Sequence, residues 1–260
     1  SLQISQDKES TQTLVAGMGE LHLDITIDRM KREFGVDAYV GSPQVSYRET
    51  VSTEAIGVGE EFNRQIGDKK HYGSVTIDVA PIARGQGFKF DTDINEKTIP
   101  DKFIPAIKGG IKEALRDGVL AGFELVDISV VVTGGSFHEV ESTDMAFKVA
   151  ASLAFKKAVL QAKPCLLEPM MAVEINTPIE YQGALSSDLN KRRGILKGTG
   201  ESMAGLSIRC DVPLAEMFGY ATEIRSLTKG RGTFSMEFSH YENAPTNVLE
   251  KFGVGIKSAI

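Results

Sequence analysis

Residues 171–242 read MAVEINTPIEYQGALSSDLNKRRGILKGTGESMAGLSIRCDVPLAEMFGYATEIRSLTKGRGTFSMEFSHYE. The β-branched MAVEINTP (171–178) predicts a strand and YQGALSSDLNKR (181–192) a helix. GILKGTGE (194–201) and GLSIRCDVP (205–213) form a predicted hairpin. LAEMFGYATEIRSLTKG (214–230) predicts a second helix and GTFSMEFSHYE (232–242) a last strand. This βαββαβ order is the split pattern of a ferredoxin-like sandwich. It sets the fold class as α+β.

Upstream, KPCLLEPMM (163–171) interrupts the pattern at Pro164 and Pro169, where a domain boundary is expected. Before it, SVTIDVAPI (74–82) and ISVVVTG (128–134) have the β-branched content of strands. Between them Ile104, Ile107, Ile111 and Leu115 line one helix face, with Pro105 in the first turn and Gly118 and Gly122 at the exit. That is a βαβ-type unit. A second helix is expected from about Thr143 to Ala162, capped by Ser142, with Met145, Val149, Leu153 and Leu160 on its apolar face. Nearer the start, TLVAG (13–17) and VDAYVG (36–41) read as strands around a helix with Leu23, Ile27, Met30 and Phe34 at helical spacing. Gly19 precedes that helix and Gly35 follows it as a C-cap. Nothing earlier completes a sheet, so the chain is expected to begin inside a domain. The tail after Pro245 has little periodicity and reads as mobile or as a short helix.

At 260 residues, two or three domains are expected. Composition is that of a globular protein, 42% hydrophobic and 25% charged, with no apolar run of membrane-spanning length, and SLQISQDKES is not expected to be a signal peptide. Two cysteines are too few for a disulfide framework, have no metal-ligand spacing, and fit a reducing compartment. A net charge of −6 opposes general phosphate coating. Two local basic segments remain, LNKRRGILKG (189–198) and LTKGRGTF (227–234). Either one alone is more simply a solvated helix end.

Enzyme motifs are missing. There is no phosphate-binding G-x-x-x-x-G-K-[ST], no H-E-x-x-H and no G-x-S-x-G. GMGELH and GRGTFS read as turns, His22 as a structural histidine, and His240 carries no signal. No catalytic residue and no metal ligand is expected. In GGSFHEVEST (134–143), His138 follows two glycines and precedes Glu139 and Glu141. One histidine without a placed nucleophile defines no active site.

Several longer stretches resemble elongation factor G, the bacterial and organellar translocation GTPase, and the resemblance covers nearly the whole chain. AGMGELHLDITIDRMKREFGVDAYVGSPQVSYRET (16–50) is similar to the second half of domain III and the beginning of domain IV. GGSFHEVESTDMAFKVAASLAFKKA (134–158) is similar to a domain IV loop and its following helix. LLEPMMAVEINTP (166–178), DLNKRRGILKG (188–198) and PLAEMFGYATEIRSLTKGRGTFSMEFSHYE (213–242) are similar to domain V. The resemblance implies a partial ferredoxin-like domain III over 1–46, a decoding-centre probe over 47–167 and a ferredoxin-like domain V over 168–260. The family's GTP, magnesium and P-loop belong to a domain N-terminal to these. No cofactor is expected in this chain.

By the same resemblance, Gly134, Gly135, Ser136, Phe137 and His138 form one tip of domain IV, entering the small-subunit decoding centre near tRNA and mRNA. The glycines permit a sharp turn, and a histidine can stack on or bond to RNA. The eukaryotic relative modifies its tip histidine; no such modification is expected here. The second tip is Gly67, Asp68, Lys69, Lys70 and His71, within Gly67-Asp68-Lys69-Lys70-His71-Tyr72-Gly73. Family members typically read Gly-Gly-Arg-Gly-Gln-Tyr-Gly there. Fewer glycines stiffen the loop, which favours a divergent paralogue, for example one acting in ribosome recycling. Lys191, Arg192, Arg193, Lys197, Lys229 and Arg231 are expected to dock domain V on large-subunit RNA. The chain is expected to be cytoplasmic or in an organellar matrix, off membranes and monomeric. A ribosomal protection protein is a further alternative, opposed by the match around His138. A small-molecule enzyme on a ferredoxin-like scaffold is opposed by the missing constellation, and a ribosome-independent nucleic-acid module by the net acidity.

Overall fold

The structure, a computed structural model, describes residues 3–6, 13–16, 27, 29–36, 45–203 and 205–253. The chain divides into two compact units. One comprises Ser1–Ser46 and Glu168–Glu242, the other Tyr47–Leu167 and Asn243–Ile260.

In the N-terminal segment, β1 (Gln3–Gln6) pairs antiparallel with β2 (Thr13–Ala16), the strand expected at TLVAG. β1 has no counterpart in the sequence reading; its polar QISQ carries no strand alternation. Helix α1 covers residues 29–34. Gly35, at φ 62°, ends it, and the Val36 N–H returns to the Met30 carbonyl at 3.4 Å. Phe34, expected on the buried face, is 73% exposed at the end of the helix. Gly19, His22, Leu23 and residues 37–41 of the second expected strand lie outside the described residues.

The central unit begins with β3 (Arg48–Val51), then β4 (Ala55–Ile66) and β5 (Lys69–Pro81), an antiparallel hairpin. β5 buries Val75, Ile77 and Val79 on one face and leaves Ser74, Thr76 and Asp78 on the other. β6 (Phe88–Thr92), α2 (Ile104–Asp117) and β7 (Ile128–Ser136) form the expected βαβ unit, with β6 and β7 parallel. The sheet order is β4-β5-β7-β6. α2 buries Ile107, Ile111 and Leu115 as its spacing predicts.

α3 (Asp144–Gln161) does not bury the expected face. Met145, Leu153 and Leu160 are 40%, 45% and 46% exposed, while Ala146, Phe147, Ala150, Ala151, Ala154, Phe155 and Ala158 are buried. The reason is close approach. A Cβ at Gly110 of α2 would overlap the Lys148 carbonyl oxygen of α3, and a Cβ at Gly73 of β5 would stand 2.9 Å from the Phe147 nitrogen. Alanines fit such close approach, with Phe147 and Phe155 filling the space beside it. The N-cap is Thr143, whose Oγ1 accepts from the Ala146 N–H at 3.3 Å; the expected cap, Ser142, instead accepts from the His138 N–H.

β8 (Pro164–Thr177) runs straight through both prolines. Residues Pro164–Leu167 pair with β3 and Met170–Thr177 with β10 (Gly205–Pro213), so Pro169 falls between the two ladders and costs neither of them a donor. α4 (Gln182–Lys191), β9 (Ile195–Ser202), α5 (Tyr220–Leu227) and β11 (Thr233–Asn243) complete the ferredoxin-like unit, in the order β11-β8-β10-β9. Val173, Ile175, Leu185, Leu189, Ile208 and Ile224 form its core. α5 is shorter than expected because Gly219, at φ 76°, separates it from a 3₁₀ turn at Leu214–Glu216. After β11, α6 (Thr246–Glu250) is the short helix expected of the tail. Phe252 lies edge-on to Tyr47 and Phe123 at 5.1 and 5.0 Å, so this tail packs with the central unit rather than with the 168–260 block. Among the described residues no helix is long and apolar enough to cross a membrane.

Candidate nucleic-acid interface

The two predicted tip segments meet at one end of the central sheet. Gln65 faces Lys70 and Ile66 faces Lys69, so the turn is only Gly67-Asp68, with Gly67 at φ 62°. Lys69, Lys70 and His71 belong to β5, not to a loop. The last pair joining β5 to β7 is Ser74 with Ser136. The five residues of β5 before Ser74 therefore carry the hairpin about 17 Å past the sheet.

Gly134 and Gly135 also lie within a strand. They face Thr76 and Val75 beside a bulge, and a Cβ at Gly135 would overlap the Ser74 carbonyl oxygen. Gly135 serves close strand approach, and the turn comes later, where the Ser142 N–H bonds the His138 carbonyl at 3.0 Å and the His138 N–H bonds Ser142 Oγ at 2.8 Å. Ser136 is exposed and its Oγ shares a 2.6 Å bond with the Tyr72 hydroxyl. Phe137, expected to reach a partner, packs against the core. The exposed apex is Glu139 and Val140, the latter 93% exposed.

His138 turns back from that apex. Its ring stands perpendicular to Tyr72 at 4.3 Å. Tyr72 N–H donates to the Glu141 carbonyl at 2.8 Å, Lys70 pairs with the Glu141 carboxylate at 3.1 Å, and His71 Nδ1 shares a 3.0 Å bond with Thr143 Oγ1. Hairpin and loop are thus laced into one rigid end. Glu141 neutralises one cation of that end. Arg64, opposite His71 in the hairpin and exposed, joins Lys69 there. Arg64 escaped sequence reading, and so did the contacts of Tyr72, Glu141 and Thr143 with the tip, because only the strand register brings them to His71 and His138.

The basic residues of the last unit do not form one patch. β8 and β10 are antiparallel, as are β10 and β9, so α4 and α5 run in opposite directions. Lys191 ends α4 and Arg192 and Arg193 follow it, and Arg193 donates from both Nη atoms to Glu168 at 2.6 and 2.8 Å. Lys229 and Arg231 follow α5 at the far end, where Arg231 bonds Glu180 at 2.8 Å. Glu168 and Thr177, just before the latter end, are about 30 Å apart along β8. Arg193 also reaches Glu216 at 3.3 Å and holds φ 59°, and Glu168 is 3% exposed. Arg192 bonds Asp188 at 2.9 Å and lies 4.8 Å over the Tyr220 ring. These two arginines are anchors of the fold. Lys197 pairs with Asp211 at 2.9 Å. Of the six predicted residues, Lys191 and Lys229 are exposed and, with the outward side of Arg231, are open to a partner.

Among the described residues no group of three or more His, Cys, Asp and Glu gathers to hold a metal. A cleft of about 410 Å³ on the sheet of the last unit includes Cys210, whose thiol burial pushes up to about 11, leaving it protonated at neutral pH.

Residues 43–163 match the family model for elongation factor G, domain IV. Residues 165–252 match that for the elongation factor G C-terminus, and residues 1–42 that for elongation factor G, domain III. Among solved structures, the chain is similar to a crystal structure from Thermus thermophilus, with a TM-score of 0.82 and 38% identity over 96% of this chain. The match covers 37% of that protein, so this chain spans little more than a third of its length.

Proposed function

The chain belongs to the elongation factor G family, and from that premise we propose that it is the ribosome-binding part of a factor that moves tRNA and mRNA through the ribosome. The laced end of the central unit carries this reading. A hairpin standing about 17 Å beyond its sheet, fixed to the His138 loop through Tyr72, is a rigid probe rather than a catalytic cleft. Lys69 and Arg64 at that end suit RNA phosphates of the decoding centre, and His138 offers a ring edge and a hydrogen-bonding nitrogen. In the last unit, Lys191, Lys229 and Arg231 would meet large-subunit RNA, while Arg192 and Arg193 hold the fold. GTP and magnesium would be bound by another domain of the whole protein. The factor would work as a monomer in the cytoplasm or an organellar matrix.

A second reading, ribosome recycling, draws on the Gly67-Asp68 turn. It is short, carries an acid, and lacks two of the glycines of the family's usual tip, so it presents a stiffer end to the decoding centre. His138→Ala in the full-length factor tests both. Stopped-flow translocation should slow, or ribosome splitting by light scattering in a recycling factor, while single-turnover GTP hydrolysis stays nearly unchanged. The loss of the His138–Tyr72 ring contact should cost only about 1 kcal/mol of stability. Equal losses of hydrolysis and movement refute the probe.

A further inference from the structure

We infer that the outer face of α2 is a second RNA-binding surface, a track for the phosphate backbone separate from the tip. Lys108, Lys112 and Arg116 stand at every fourth residue of α2, all exposed. This spacing places them on one stripe, about 6 Å apart along the axis. Pro105 precedes the stripe and Gly109 lies within it, and a Cβ at Gly109 would meet nothing within 4 Å. Along the stripe the surface is low except for the cations, with the exposed Glu113 beside it paired to Lys148, so a polyanion can approach the helix closely.

The charges are available. Among the described residues none of these cations forms an ion pair with a carboxylate. Lys108 Nζ lies 5.3 Å from the centre of the Phe90 ring, which steadies it without neutralising it. The acids of α2, Glu113 and Asp117, lie on the flank toward α3, where Lys148 takes Glu113 at 2.6 Å. The chain as a whole carries a net charge of −6, so an uncompensated cationic stripe is a local feature and not part of a basic surface. Three cations in line complement a phosphodiester strand better than a compact anion, which one or two would saturate.

The placement also fits. Ile99, just before α2, lies against Gly135 in the strand leading to the His138 loop. α2 therefore starts on the tip side of the unit and carries its stripe away from it. RNA engaged by the tip could continue along the helix. The inference deepens the ribosome reading in naming this RNA track, and its test needs no ribosome.

Fluorescence anisotropy of a labelled RNA duplex, titrated with the chain over a range of salt, measures the track directly. Lys108→Ala/Lys112→Ala/Arg116→Ala should lower the slope of log K against log salt by about 2 to 3, one phosphate per cation. Lys156→Ala/Lys163→Ala/Lys251→Ala removes equal charge elsewhere on the same unit and should leave the slope near its original value. Replacing Lys108 and Lys112 by arginine should preserve binding. Circular dichroism checks that each variant is folded. An unchanged slope in the α2 variant, equal loss in the control variant, or no salt-dependent RNA binding by the wild-type chain overturns the proposal. So does equally tight binding of polyglutamate with the same loss, which would mark an acidic-protein site. A failed ribosome assay with a positive RNA result would sink the ribosome reading and leave the track.

Discussion

Glu49 is fully buried in β3, yet its carboxylate is saturated. Oε2 accepts from the N–H groups of Val119 and Leu120, both at 2.8 Å, and Oε1 from Ala121 at 2.7 Å and Phe123 at 3.0 Å. One side chain thus organises the turn that leads from α2 back toward β7. Glu49→Ala removes all four acceptors. Hydrogen bonds to a charged group contribute about 1.5–3 kcal/mol each, a gross loss of roughly 6–12. The four donors are half-exposed, so water recovers part of this. The net cost should be about 3–5 kcal/mol, the range for removing one partner of a buried charge, and a large share of a domain's stability. Glu49→Gln keeps the shape but points an NH₂ at N–H donors, and should cost at least about 2 kcal/mol. Urea unfolding followed by circular dichroism should show a lower midpoint with an unchanged slope, and amide exchange should accelerate first at residues 119–123. A loss below about 1 kcal/mol for the alanine variant would mean that the turn holds itself and the argument is wrong.

Gly110→Ala should cost about 1–3 kcal/mol, seen as a lower melting temperature, because the new methyl group meets the α3 backbone at Lys148 and not a side chain that can rotate away. Arg193→Ala should destabilise by about 3–5 kcal/mol by stranding Glu168, whereas Lys191→Ala should stay within about 0.5 kcal/mol; parallel denaturant melts compare them. Stability should also fall at alkaline pH. The folded chain keeps the Cys210 thiol protonated to about 11 against an ordinary 9.0, so its contribution is fully present below pH 9 and is lost as pH rises toward 11. Melting temperatures across that window should drop for the wild type and drop less for Cys210→Ala.

The sequence by itself determined the elements whose side chains repeat with a period. The alternation of β5 and β7, the isoleucine stripe of α2, and the βαββαβ order of the last unit all follow from local pattern. Sequence also supplied the stretches that carry the family resemblance, His138 among them. Tertiary structure decided what depends on distance between segments. α3 buries alanines because α2 and β5 approach it backbone to backbone, which no periodicity of large apolar residues could announce. Pro169 sits inside a strand because two ladders divide on either side of it. Phe137 and Arg193 look like exposed contact residues in a linear reading, but one packs against the core and the other satisfies a buried carboxylate. The His138 loop became a rigid end only when strand register set Tyr72 beneath its ring. Local pattern reports which face of an element is apolar, while only the folded chain reports which partner occupies that face.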